Sequence, residues 1–182
     1  MNITRVFYAK NREQWRKWFE ENHDKEKEVW LINFRKISGK RSIPYNDAVE
    51  EALCFGWIDS TVKSFDKEST VQRYTPRNPK SNWSQLNKER ARMLIERGLM
   101  TPAGLSKLGN VLDEKFEMPK DILKKLKKDK EAWGNFKKFP ERYKRIRIAF
   151  IDGSRVRPEV FEKRLNYFIK MTKLNKKFGM VQ

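Results

Sequence analysis

Prolines at the starts of predicted helices constrain the fold of this chain more than any other feature. Proline fixes φ near about −65° and has no backbone N–H, so it suits the first turn of a helix and disrupts helix interiors and central strands. Five of the seven prolines introduce helical patterns: Pro44, Pro102, Pro119, Pro140 and Pro158. Four of these five lie beyond residue 98, so the last part of the chain is predicted to consist of short helices.

Before residue 98, helical and strand patterns alternate. Trp15, Trp18 and Phe19 recur at the spacing of one helix face, which predicts a helix beginning near Asn11. Residues 28–35 are rich in strand-forming side chains and apolar on both faces, so they predict a central strand. A β-hairpin is predicted from residues 57–63 and 70–75, joined by a turn-like segment.

These patterns predict an α+β fold. A small antiparallel sheet with helices is expected in the N-terminal half, followed by a helical C-terminal region. We expect residues 1–98 to form an α/β unit and residues 99–182 to form a basic helical region packed on it, because no Gly/Ser linker separates them. Residues 175–179 are expected to fray.

Charge is distributed unevenly along the chain. The formal net charge is +18, of which residues 119–182 contribute +13 and residues 1–118 only +5. Such a field attracts nucleic acid or other anionic partners, and a well-solvated surface is the alternative interpretation. Nucleic acid and a small anionic ligand are therefore the two partner classes that the sequence favours.

The sequence predicts neither a membrane span nor an internal disulfide. No apolar stretch approaches the roughly 20 residues that a membrane span needs. The single cysteine, Cys54, cannot form an internal disulfide, which favours a cytoplasmic location. With one histidine and one cysteine we expect no metal site, and no motif indicates a cofactor, a defined reaction or an oligomeric state.

A polar cluster in the predicted hairpin is the first candidate site. Alternation places Asp59 and Lys63 on one face of their strand, and a simple antiparallel register sets Asp59 opposite Arg73. This pair is either a structural ion pair, or an arginine held by a carboxylate to receive a ligand carboxylate or phosphate.

The segment after the hairpin adds a second group of candidates. Arg77 precedes a predicted helix start that Ser81 or Asn82 would cap, with Ser84 close by. Basic side chains at a helix N-terminus favour anion binding. Trp83 could supply a stacking surface, with Asn87 on the same side of the helix; an ordinary capped helix is the alternative.

Cys54 and His23 are the remaining chemically reactive candidates. Cys54 is either a reactive thiol or a small buried apolar residue on a helix. His23 fits a solvated position at a helix C-terminus, where the helix dipole favours it.

Several of these residues also lie in segments that resemble the YdeI/OmpD-associated family of bacteriocin-protection proteins. The segments, which together cover roughly residues 10–105, are Glu28–Leu31, Glu51–Ser60, Arg73–Arg77, Ser81–Ser84 with Asn87, and Gly98–Gly104. The C-terminal region follows the family pattern less closely, with Phe150-Ile151 in place of Trp-Ile and Val160-Phe161 in place of Thr-Arg. The resemblance implies a bacterial cytoplasmic protein linked to stress or bacteriocin tolerance, and implies no reaction.

Overall fold

A computed structural model describes residues 2–179 of the chain. The sheet lies in the N-terminal half. Its strands are β1 (Val6–Phe7), β2 (Val29–Phe34), β3 (Trp57–Ser64) and β4 (Ser69–Pro76), in the order β1–β2–β4–β3. The neighbours β2–β4 and β4–β3 are antiparallel, whereas β1 runs parallel to β2. The predicted α+β fold and the interior position of β2 are confirmed. The sheet is mixed rather than antiparallel because of β1, which is too short to show a period of two.

The helices begin close to the predicted positions. In the first part of the chain they are α1 (Arg12–Asn22), α2 (Tyr45–Cys54), α3 (Gln85–Glu96) and α4 (Pro102–Leu105). In the second part they are α5 (Lys120–Lys127), α6 (Lys130–Lys138), α7 (Glu141–Asp152) and α8 (Pro158–Lys173). Across residues 2–179, no helix is both long and apolar enough to cross a membrane.

The described chain divides into two compact units. The sheet unit comprises the residues up to Asn82 together with Arg90–Leu112, and the helical unit comprises Trp83–Glu89 and the residues from Asp113 onward. Helix α3 therefore begins in the helical unit and ends in the sheet unit.

Aromatic side chains form the core of the sheet unit. Trp15, Trp18 and Phe19 are buried on one face of α1, as the sequence predicts. The ring centres of Trp15 and Tyr74 are 5.3 Å apart, and those of Phe19 and Trp57 are 5.5 Å apart. Trp15 Nε1 also donates to the carbonyl of Ala48 at 3.1 Å, which joins α1 to α2. Large rings thus compensate for the low aliphatic content.

The helical unit has a separate apolar core. Each of α5 to α8 contributes buried side chains, among them Ile122, Leu126, Phe136, Tyr143, Ile151, Leu165 and Phe168. The segment after α8 does not fray as expected, since Phe178 packs against this core and its N–H donates to Tyr143 Oη at 3.1 Å. A single aromatic residue in a lysine-rich tail is enough to hold it.

Candidate functional site

Asp59 lies at an irregular point of the ladder between β3 and β4. The register shifts by one residue between Asp59 and Val62, which places Asp59 opposite Tyr74 and not opposite Arg73. Asp59 Oδ2 accepts hydrogen bonds from Tyr45 Oη at 2.9 Å and from Gln72 Nε2 at 2.8 Å. The predicted Asp59–Arg73 pair is therefore wrong, because the turn sets Lys63 opposite Val71, a register two residues away from the one that pairs Asp59 with Arg73. A β-bulge formed by an extra residue in β3 then brings Asp59 opposite Tyr74.

Arg73 has a different carboxylate partner. Its guanidinium contacts Glu28 Oε2 through Nε at 2.6 Å and through Nη2 at 2.5 Å. The pKa of Glu28 is lowered by a hydrogen bond from Thr4 and by the contacts with Arg73. The charge of Arg73 is thus balanced within the protein, as in a structural ion pair.

Arg77 and Lys63 also have contacts within the sheet unit. Arg77 is 5% exposed, and its Nη2 donates to the carbonyl of Asn82 at 2.7 Å, so the guanidinium closes the loop over residues 77–82. Burial lowers the pKa of Arg77. The ammonium of Lys63 lies 5.5 Å from the ring centre of Trp30, a cation–π contact.

Ser84 caps helix α3. Its Oγ accepts from the backbone N–H of Asn87 at 3.2 Å, and the helix begins at Gln85. The predicted caps Ser81 and Asn82 are wrong, because these residues belong to the preceding loop, where Ser81 Oγ donates to the carbonyl of residue 78 at 2.7 Å. Trp83 precedes the helix.

The predicted site residues fall into two groups. Asp59, Lys63, Arg73 and Arg77 belong to the sheet unit, whereas Trp83, Ser84 and Asn87 belong to the helical unit.

Cys54 is a buried thiol at the end of α2. Desolvation, followed by the nearby charge of Glu51, raises the pKa of Cys54 to about 11. Its carbonyl packs against Gly104 so closely that a Cβ on Gly104 would lie 2.2 Å from the oxygen. His23 is at the end of α1, with Nδ1 2.8 Å from the carbonyl of Phe19. Within residues 2–179, no three His, Cys, Asp or Glu side chains form a metal-binding cluster.

The helical unit contains a cavity that the sequence reasoning missed. Its volume is about 540 Å³, within the range typical of small-molecule sites. It is lined by Ser84, Gln85, Leu86, Ile146, Arg147, Ala149, Phe150, Gly153, Phe178 and Gly179. Of the predicted site residues, only Ser84 is part of this lining, and most of the wall is apolar.

Arg147 is the charged group in the cavity wall. Its guanidinium carbon lies 4.2 Å from the ring centre of Phe178 and 5.0 Å from that of Phe150. Its Nε is buried without a hydrogen-bond acceptor, and burial lowers the pKa of the group. Within the described residues, Arg147 forms no ion pair. Other arginines contact a carboxylate: Arg12, Arg16, Arg73, Arg145 and Arg155.

Helix α7 explains how the cavity forms and why it was missed. Ile146, Ala149, Phe150 and Gly153 recur at i, i+3, i+4 and i+7, which places them on one face. On this face Phe150 is 47% exposed. One feature of the sequence does indicate that Arg147 has no ion-pair partner on its own helix. The residues three and four positions away are Tyr143, Lys144, Phe150 and Ile151, and none of them is acidic.

The fold therefore defines a two-part protein: a mixed-sheet α+β unit, and a basic helical unit with an arginine-containing cavity. The chain belongs to the family described as a domain of unknown function (DUF8412), which matches residues 7–107. Residues 115–175 match the family described as "Bacteriocin-protection, YdeI or OmpD-Associated". The resemblance to the latter family is confirmed, but the match lies in the C-terminal region, which we judged less similar. No curated protein and no solved structure matches the chain.

Proposed function

We propose that this protein binds a small anionic ligand in the cavity of the helical unit. Half of the residues that line the cavity, all of them on α7 or directly after it, fall within the part matched by the bacteriocin-protection family. A role in stress tolerance or bacteriocin protection, exerted through this ligand, is part of the proposal.

The observation that carries the proposal is the uncompensated charge of Arg147. A guanidinium stays protonated in proteins, so burial cannot relieve its charge by deprotonation. The rings of Phe150 and Phe178 offset part of the desolvation cost through cation–π contacts. They accept no strong hydrogen bond, and within residues 2–179 the buried Nε has no acceptor. An anionic ligand at the Nη nitrogens would supply the counter-charge.

The site predicted on the sheet unit has weaker support. Arg73 is neutralised by Glu28, and Arg77 donates to a loop carbonyl. A ligand on the sheet unit would have to displace the protein groups that already contact Arg73 and Arg77. A ligand at Arg147 would displace no carboxylate of the described residues.

Two related dyes test the proposal. Anilinonaphthalenesulfonate is an anionic fluorescent probe, and N-phenylnaphthylamine has the same aromatic body without the charge. We expect the native protein to bind the anionic probe at least about tenfold more tightly, a difference of about 1.4 kcal/mol. Arg147→Gln should abolish this preference.

Arg73→Gln is the matched control, because it removes an arginine of the sheet unit. We expect it to leave the preference for the anionic probe unchanged. Loss of the preference in Arg73→Gln but not in Arg147→Gln would move the site to the sheet unit. Equal binding of the two dyes to the native protein would refute anion binding in the cavity.

Nucleic-acid binding by the helical unit is a second candidate. Lys124 and Lys128 on and after α5 are exposed, and neither contacts a carboxylate within residues 2–179, whereas Lys125 pairs with Glu162. Such unpaired lysines can neutralise phosphates. Each neutralised phosphate of duplex DNA contributes roughly 0.9 to the slope of log affinity against log salt.

Fluorescence anisotropy with labelled duplex DNA at several salt concentrations tests this candidate. Lys124→Glu/Lys128→Glu should lower the slope by about 1.8 if both residues contact phosphates. Lys125→Gln, whose ammonium is already paired, serves as the control. An unchanged slope in the double variant would exclude this surface.

A further inference from the structure

The surroundings of Arg147 also restrict the kind of anion that the cavity can bind. We infer that the ligand is an apolar monocarboxylic acid, whose carboxylate is bound by the two Nη nitrogens of Arg147. This inference rests on the proposed binding in the cavity and adds the chemical class of the ligand.

The donor geometry favours a carboxylate. A guanidinium presents Nε–H and one Nη–H in parallel, and the two oxygens of a carboxylate accept both hydrogen bonds in one plane. Elsewhere in this unit Arg145 uses this arrangement, with Nε and Nη2 donating to the two oxygens of Glu89 at 2.6 and 2.9 Å. At Arg147 the Nε is enclosed by protein and has no acceptor among the described residues, so the parallel N–H groups of the two Nη nitrogens are the donors left for a ligand.

The charge of the wall matches a monoanion. Arg147 is the charged residue of the lining, and the other polar side chains there, Ser84 and Gln85, are neutral. A phosphate monoester carries about −1.5 to −2 at neutral pH. Its excess charge would face apolar wall and would lose hydration without compensation. A single carboxylate balances a single guanidinium.

The rest of the cavity suits an apolar body. Leu86, Ile146, Ala149 and Phe150 supply hydrocarbon surface. A Cβ on Gly179 would lie 2.5 Å from Arg147 Nη1, so the glycine there allows the guanidinium to pack closely against the backbone. With a volume of about 540 Å³, the cavity can hold a ring system or a short acyl chain beyond the carboxylate.

Displacement of anilinonaphthalenesulfonate by three ligands with the same ring tests the class. We expect naphthoate to displace the probe at concentrations at least about tenfold lower than naphthyl phosphate or naphthylmethanol, a difference of about 1.4 kcal/mol. Stronger displacement by naphthyl phosphate, or equal displacement by the alcohol, would overturn the carboxylate class while leaving anion binding intact. If the native protein did not prefer the anionic probe to its neutral analogue, the proposed function itself would fail.

Arg147→Lys tests the two-bond geometry, because lysine keeps the charge and lacks the planar fork. We expect it to weaken naphthoate binding by about tenfold, which corresponds to about 1.4 kcal/mol. In the native protein, the Nε–H proton resonance of Arg147, assigned by its loss in this variant, should shift when naphthoate binds to the Nη nitrogens of the same guanidinium. Naphthoate binding that leaves this resonance unmoved would overturn the proposed contact.

Discussion

Arg145 and Arg147 lie two residues apart on helix α7, and only Arg145 has a carboxylate partner within the described chain. Arg145 holds Glu89, which is 3% exposed, through two hydrogen bonds of 2.6 and 2.9 Å. Arg147 lies against two phenylalanine rings with its Nε unsatisfied. Two arginines on one helix are therefore expected to affect stability in opposite ways.

Replacement of each arginine by methionine tests this difference. Arg145→Met removes a counter-charge and two hydrogen bonds from the buried carboxylate of Glu89, and we expect the free energy of unfolding to fall by about 3 kcal/mol. Arg147→Met removes an unpaired cation while keeping apolar contact, so stability should be unchanged or raised. Urea unfolding measures both. An equal loss of unfolding free energy in the two variants would contradict the expectation that Arg147, unlike Arg145, does not stabilise the fold.

Glu51 on α2 should contribute strongly to the stability of the sheet unit. It is 2% exposed, it contacts Arg12, and its Oε2 accepts from Arg16 Nη1 at 2.8 Å. Glu51→Ala leaves two guanidinium groups without this partner, and we expect a loss of about 3 kcal/mol in the free energy of unfolding. Glu20→Ala is the matched control, because Glu20 contacts the same Arg16 at 3.4 Å and is 55% exposed. An exposed pair of this kind contributes under about 1 kcal/mol, and a similar loss in both variants would refute the role assigned to Glu51.

The start of helix α3 gives a third prediction. Ser84 Oγ satisfies the N–H of Asn87, so Ser84→Ala should lower the free energy of unfolding by about 1 kcal/mol. Asn82→Ala is the control, since the contact that Asn82 makes with Arg77 uses its backbone carbonyl, which the substitution keeps. A larger loss of unfolding free energy in Asn82→Ala than in Ser84→Ala would instead support Asn82 as the cap, as the sequence predicts. Urea unfolding monitored by far-ultraviolet circular dichroism distinguishes the two outcomes.

The sequence predicts local structure in this chain better than it predicts which side chains meet. Helix α1 is predicted because Trp15, Trp18 and Phe19 follow a helical period, and Asn11 accepts from the N–H of Gln14 at its start. These signals involve residues that are close together in the chain.

Asp59 illustrates the limit of such reasoning. The register at the turn, with Lys63 opposite Val71, and one bulge residue in β3 together set Asp59 opposite Tyr74, and hydrophobic alternation determines neither of them. The cavity depends on contacts of longer range, since Phe178 reaches Arg147 from beyond the end of α8. Only the absence of an acidic residue at helical spacing from Arg147 was visible in the sequence.

The buried thiol of Cys54 gives a prediction about pH. Its pKa is raised to about 11 by desolvation and by Glu51, whereas in the unfolded chain it should lie near the usual value of about 8.5. A raised pKa in the folded state means that the stabilisation is complete below pH ~8.5 and is lost as the pH rises towards the folded pKa. We expect the native protein to lose about 3 kcal/mol more between pH ~8 and pH ~11 than Cys54→Ala does. At pH ~8, iodoacetamide should alkylate Cys54 quickly in denatured protein and slowly in native protein, because only the thiolate reacts. Rapid alkylation of the native protein would instead identify Cys54 as an accessible, reactive thiol. In that case the free energy of unfolding should change with pH equally in the native protein and in Cys54→Ala.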